Sequence, residues 1–359
     1  MKGATELKKQ IINTANSNQI DQVIIGMEAT SIYSFHPAMF FQEDIDLKAF
    51  NTQSVVVDPK KTKRFHDVFA EDKNDQIDAY YIADYLRVGH YSIGIVRQEN
   101  YIALQRLTRS RYEIVQSLVR AKQHFIENLY YKLNKLVISD ELNTSIFGST
   151  MMQLLTEDLT TDDLLNISIN DLTDYLAEHG RGRFADPEAL AKTIQKAVWS
   201  SYRLDKVVAN SVDAVLSVYA EEIKAFQKMI KDLDKSIEKV VKVTDDEQIL
   251  RSIPGIGPVY AAGILAKYAG LSWREKQSGS YTSDNTPLKR TGNTYLRYYL
   301  VEAANLVRTH DPVFGEYYQR KYKEVKHTPS KRALVLTARK LIRVIYFLLK
   351  NHQIYQEKR

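Results

Sequence analysis

Not one of the 359 residues is a cysteine. Disulfides, thiolate zinc sites and a cysteine nucleophile are therefore excluded, and any chemistry must come from oxygen and nitrogen side chains. The absence also fits a reducing cytosol. Long apolar runs are missing too. The longest near the end, "VIYFLL", falls far short of the roughly 20 residues that cross a bilayer. The opening, "MKGATELKKQIINTANSNQI", has no signal-peptide core. A cytoplasmic protein with no membrane partner is expected. From 101 to 136 there is neither glycine nor proline, so nothing interrupts a long helix there.

What is present is globular. Hydrophobic residues make up 44% of the chain, and its length allows two or three domains with real cores. Charge is unevenly spread. Of 50 Lys+Arg and 44 Asp+Glu in all, residues 251–359 hold 20 and 7, so that tail carries +13 and the remainder −7. A basic tail behind an acidic front points to a polyanion partner for the tail. A solvated basic surface is the plainer alternative.

"VIIGM" (23–27) reads as a short buried strand ending at Glu28, and "SVVV" (54–57) as another ending at Asp58. Helical patterns lie between and after them, including 76–88. Alternation of this kind argues a parallel α/β arrangement, whose ligands collect at the carboxyl ends of strands. In "EDKNDQIDAYYIADYL" (71–86), Asp75 and Asp78 stand three residues apart, on one face of a helix start. Asn74 or Asp75 could cap that helix, and acids favour its first turn. The other reading is a cation site, since oxygen ligands suit Mg²⁺.

Two long amphipathic segments follow. The first runs from about 101 to 136, with apolar Leu104, Leu107, Ile114, Leu118, Phe125 and Leu129, and the second spans 212–242. They predict an antiparallel coiled-coil arm, with an ordinary helical bundle as the alternative. Residues 140–200 read as a helical insertion at the arm's tip. The expected division is 1–100, an α/β domain; 101–242, the arm; and 243–359, a helical C-terminal domain. That last part opens on "LRSIPGIGPVYAAGILA". Gly255 and Gly257 there sit in a tight turn resembling a helix-hairpin-helix, whose backbone N–H groups meet phosphate. The last helix, "KRALVLTARKLIRVIYFLLKN", has a cationic face with Arg339, Lys340 and Arg343, further candidates for nucleic-acid contact.

The stretches "VIIGMEAT", "VVDPKKTKRF" and "KNDQIDAYYIADYL", followed by "SIPGIGPVYAAGILA", "YAGLSWREKQSGSYT", "LKRTGNTYLRYYL" and "TARKLIRVIYFLL", resemble, in order, the DEDD transposases of bacterial insertion sequences of the one-ten family. The resemblance implies a RuvC-like, RNase H-type N-terminal domain whose acids bind Mg²⁺. Glu28 matches the second acid, and Asp75 and Asp78 the third and fourth. It implies a nucleophilic serine in the helical C-terminal domain, matched by Ser278 with Ser280 as the neighbouring alternative. Lys289, Arg290 and Arg297 would then contact phosphates. It further implies DNA partners (element ends and target), a structured guide RNA, a homo-oligomer, and association with the bacterial nucleoid when bound.

Two departures set further expectations. No stretch like the family's first-acid strand precedes Glu28, and Asp21 is a poor substitute. "GILAKYAGL" joins two motifs that the family separates. A chain truncated at its start, shortened internally and impaired in activity is expected from these. A nucleic-acid-binding remnant without catalysis, or a RuvC-like junction nuclease using water, are the rival readings.

Overall fold

The computed structural model describes residues 2–29, 33–69, 74–89, 99–242, 245–265, 277–278, 281–282, 293–324 and 328–356. Contacts divide the chain into two units, Met1–Gln98 and Glu99–Arg359.

The first unit is α/β. It opens with helix α1 (Lys2–Ser17), then strand β1 (Ile24–Glu28), helices α2 (Phe35–Glu43) and α3 (Ile45–Lys48), strand β2 (Gln53–Val57), and helices α4 (Pro59–Phe69) and α5 (Asp75–Arg87). Strands β1 and β2 run parallel, with Ile24 opposite Gln53 and Glu28 opposite Val57. Both expected strands are present within a residue of their predicted bounds. The parallel pairing follows from the intervening helices, which provide the crossover that parallel strands require. Val55, Val57, Tyr85 and Leu86 form one buried cluster, with Ile24, Phe65 and Ile82 packed around it, and Leu47 and Phe41 are buried as well. Gly26 lets α5 lie directly on β1: a Cβ there would stand 2.3 Å from Leu86 Cδ1 and 3.0 Å from Ile82 Cγ2.

Among its described residues the second unit is helical apart from loops and the two short strands β3 (Gln277–Ser278) and β4 (Tyr281–Thr282). Helices α6 (Glu99–Val137) and α11 (Lys206–Val241) are its spine. They run antiparallel. Arg111, early in α6, pairs with Asp234, late in α11, and Lys132 near the other end pairs with Asp213. The second helix begins six residues before its expected start at 212. The Asp205 side chain accepts from Val207 N and caps it there, a signal that apolar spacing does not carry.

Between the two long helices lie α7 (Ser149–Gln153), a π-helical turn (Leu154–Asp158), α8 (Thr161–Asn166), α9 (Ile169–Gly180) and α10 (Pro187–Ser200). Their apolar faces close over the distal half of α6 and α11 in one core containing Phe125, Leu129, Met151, Leu172, Ile194 and Leu216. The expected helical insertion is thus a packed cap.

At the opposite end of the spine come α12 (Asp245–Arg251), α13 (Pro258–Leu265), α14 (Thr294–His310), α15 (Pro312–Glu324) and α16 (Pro329–Asn351). These share a second core built on Leu250, Ile253, Leu300, Val307, Phe314 and Leu341. Leu104, Ile237 and Val241 of the spine pack with Ala262 of α13. Tyr299 locks the junction. Its ring lies where a Gly263 Cβ would stand, 2.2 Å from Tyr299 Cγ, and its hydroxyl donates to the Thr108 carbonyl at 2.7 Å. Among the described residues, no helix is long and apolar enough to cross a membrane.

Candidate active site and nucleic-acid interface

The acidic site is built from strand ends and helix starts. Glu28 is the last residue of β1, at the carboxyl end of the parallel pair. Asp58, just past β2, accepts from Lys60 N at 2.9 Å and so starts α4. Helix α4 then presents Thr62 and His66, one turn apart and both buried. Thr62 Oγ1 donates to Glu28 Oε1 at 2.5 Å. His66 Nε2 stands 4.0 Å from Asp78 Oδ1. That is too long for a hydrogen bond, and the buried Nε2 has no partner. Tyr81 meets the His66 ring edge-on, with centroids 4.8 Å apart. Glu28 and Asp78 therefore abut successive turns of the same helical face.

Capping of α5 falls to Asn74, whose side chain accepts from Gln76 N at 3.0 Å and Ile77 N at 2.9 Å. Neither aspartate is used as the cap. Asp75 is the first residue of α5 and exposed, while Asp78 is half-buried one turn on. Carboxylates of this kind are hard oxygen donors, suited in type to Mg²⁺. Among the described residues, no three His, Cys, Asp or Glu side chains are grouped closely enough to hold a metal ion. What the structure shows is Glu28 against Thr62 and Asp78 near His66, one turn apart on α4. Thr62 and His66 escaped the sequence reading. Their signal was positional: Thr62, Phe65 and His66 fall at i, i+3 and i+4 of "KKTKRFHDVF", the spacing of one helical face.

In the second unit, Ser278 ends β3 and pairs with Tyr281 of β4. Ser280, Lys289 and Arg290, together with the junction between 266 and 267, lie outside the described residues. Gly255 has φ +88°, and a Cβ there would stand 2.8 Å from the Leu306 carbonyl carbon. It serves both a left-handed turn and a close backbone approach to α14. Gly257 is open to its surroundings, and its carbonyl accepts from Ala261 N at the start of α13.

Arg297, on the second turn of α14, has its Nε and Nη2 buried without a hydrogen-bond partner among the described residues. A buried guanidinium with spare donors requires an acceptor. Arg339 and Arg343 are exposed on α16 at i, i+4 spacing. Lys340 is placed differently. Its ammonium lies over the rings of Phe314 (4.7 Å) and Tyr317 (4.8 Å), a cation–π arrangement. Burial lowers its pKa from the usual lysine value, against the opposing pull of Asp311. Near the base of the spine, Tyr295 and Tyr298 meet Tyr112 edge-on. The Arg109 guanidinium lies 5.2 Å from the centre of the Tyr295 ring.

An α/β unit carrying strand-end carboxylates, joined to a helical unit with a basic tail, defines the class: an enzyme of nucleic acids. Comparison with known proteins narrows it. Residues 2–131 match a transposase family model of the DEDD type, and residues 263–319 match the transposase IS116/IS110/IS902 family. The "Insertion element IS116 uncharacterized 44.8 kDa protein" of Streptomyces clavuligerus is 26% identical over 329 residues, 84% of this chain and 78% of that protein. The "Insertion element IS900 uncharacterized 42 kDa protein" of Mycobacterium paratuberculosis is 28% identical over 305 residues, 79% of this chain and 73% of the relative. The chain belongs to the IS110-type family of insertion-element transposases.

Proposed function

We propose that this protein excises and inserts an insertion element by serine-nucleophile strand exchange, with Ser278 as the attacking group and Glu28, Asp75 and Asp78 as the acids that would hold Mg²⁺. Attack by the Ser278 hydroxyl forms an Oγ–phosphorus bond and releases one strand end as a hydroxyl. The reverse attack by a strand hydroxyl rejoins DNA, so the bond energy is kept without a nucleotide cofactor. A serine hydroxyl is weak at its own pKa and needs activation. Bound Mg²⁺ would supply charge neutralisation at the scissile phosphate.

The observation that supports this reading most directly is that Thr62 and His66, one turn apart on α4, stand 2.5 Å from Glu28 and 4.0 Å from Asp78 beside the carboxyl end of a parallel strand pair. Open sheets collect ligands at that end. Phosphate contacts fall to Arg297, Arg339, Arg343, Lys289 and Arg290, and to the backbone at Gly255 and Gly257 ahead of α13, arranged as a helix-hairpin-helix. The spine formed by α6 and α11 acts as a coiled-coil arm in a homo-oligomer. A structured guide RNA selects the DNA.

The experiment is an adduct assay. Purified protein is incubated with Mg²⁺, DNA bearing the element's ends and RNA transcribed from the element, then denatured and probed for protein–DNA conjugate. A conjugate lost in Ser278→Ala and in Glu28→Gln supports the proposal. Cleavage without conjugate that survives Ser278→Ala would identify a water-using junction nuclease instead. Salt-dependent binding with neither conjugate nor cleavage would identify a non-catalytic binding remnant.

A further inference from the structure

The helical cap, residues 140–200, holds 11 Asp+Glu against 4 Lys+Arg. Its two lysines are matched: Lys192 pairs with Glu188 and Lys196 with Glu141. Its two arginines, Arg181 and Arg183, have no carboxylate partner among the described residues. Arg183 Nη1 donates instead to Ser149 Oγ at 3.3 Å. Both arginines border one cavity of about 610 Å³, where α7 meets the end of α9. Its walls are tied together. Thr150 Oγ1 donates to the His179 carbonyl at 3.0 Å, and a Cβ on Gly180 would stand 2.5 Å from the Phe184 ring. Arg181 holds φ +50°, a left-handed position that helix ends usually give to glycine.

Two unmatched guanidinium groups on one cavity call for an anion, and the guanidinium fork fits phosphate in particular. His179 adds a third polar group. Its Nδ1 lies 3.0 Å from the Tyr175 carbonyl, which can only accept, so Nδ1 carries the proton and Nε2 is left for a ligand. The cavity is larger than a bare phosphate needs and has the volume of a site for a small organic molecule. Glu178 and Gln153 also line it. A carboxylate there opposes a bare anion but accepts from hydroxyl groups. No aliphatic or phenyl side chain lines the cavity among the described residues, so nothing there would hold an acyl chain. The His179 ring face is taken by Tyr175, with centroids 4.1 Å apart. The acidic surroundings repel a long polyanion, which favours a short one. We propose that this cavity binds a small sugar phosphate, with Arg181 and Arg183 on the phosphate and Glu178 and Gln153 on the sugar hydroxyls. The site belongs to the cap and does not depend on the acids of the first unit.

The test is calorimetric titration of the full chain at fixed ionic strength with ribose 5-phosphate, inorganic phosphate and ribose. Ribose 5-phosphate should bind saturably, phosphate more weakly and ribose not at all. Arg181→Gly suits the left-handed backbone, so the fold should survive, with an unchanged melting temperature as the check. It should raise the dissociation constant for ribose 5-phosphate about 10–100-fold, the size of a lost hydrogen bond to a charged group. Arg183→Gln should act in the same direction. Glu178→Ala should narrow the preference for ribose 5-phosphate over phosphate. Wild-type affinity in both arginine variants would place the binding elsewhere, on the basic tail for example, and overturn the proposal. Equal affinity for phosphate and ribose 5-phosphate in the wild type would overturn the assignment to a sugar phosphate. Failure of ribose 5-phosphate to bind saturably would overturn the site itself.

Discussion

The two units divide labour unequally. The first places candidate catalytic carboxylates, among its described residues, on two strands and five helices with a small core that includes Leu47, Phe41, Val55, Val57, Tyr85 and Leu86. The second surrounds a pair of helices of 39 and 36 residues with two extensive cores. Small cores bury less apolar surface and open locally at lower cost. The acids therefore sit on the weaker scaffold, and the helical unit supplies the rigidity.

The strongest way to break this comparison is inside the second unit. Phe125→Ala removes a fully buried ring from the core around the spine and should cost about 3–5 kcal/mol, read as a lowered denaturant midpoint. In the same protein the first unit, followed by hydrogen exchange at β1 and β2, should be unchanged. If both fall together, the units do not fold as separable bodies.

The tyrosines at the spine's base sharpen the comparison by pH. Burial raises the pKa values of Tyr260, Tyr298 and Tyr299 above the ordinary phenol range, most strongly at Tyr299. The folded unit keeps these phenols protonated while an unfolded chain starts to lose their protons near pH ~10. Their stabilising contribution is thus whole below that pH and is lost as pH climbs toward their folded values. Alkaline titration should melt the helical unit steeply. Tyr299→Phe removes one such group and flattens the high-pH loss. At neutral pH it costs ~1 kcal/mol through the lost bond to the Thr108 carbonyl. Calorimetry between pH 8 and 11 checks both signs.

The smallest effect lies at the exposed surface of the cap. Lys196 pairs with Glu141 at 2.7 Å, with both side chains more than half exposed. Lys196→Ala should change stability by less than ~1 kcal/mol, and less still in high salt. A larger loss, measured by denaturation at two salt concentrations, would mean that the cap depends on surface charge as well as on its apolar core.

Much of this was legible beforehand, for reasons particular to each element. Strands β1 and β2 announced themselves as short β-branched runs, and the spine as apolar spacing of helical period with neither glycine nor proline to stop it. Where local chemistry competes, boundaries moved. Asn74, not Asp75, caps α5, and Asp205 starts α11 six residues early. Helices α14 and α15 part at Asp311. There the Asp311 side chain accepts from Phe314 N at 2.9 Å and Pro312 follows, a residue suited to a helix's first position.

Periodicity, composition and motif spacing depend only on neighbours in the chain, so the sequence by itself determined the long helices, the basic tail and the family, and singled out the acids as candidates. Contacts between distant residues depend on how elements pack, and those only the tertiary structure decided. Thr62 reaches Glu28 across 34 positions of sequence, and Tyr299 reaches Thr108 across 191. Neither bond has a local signature, because each arises from two helical or strand faces whose mutual placement is set by burial of the apolar residues beside them. Lys340 shows the same limit from the other side. As a lysine on a basic helix it reads as a phosphate contact, and only the packing of α15 on α16 reveals that its half-exposed side chain also lies over the ring faces of Phe314 and Tyr317.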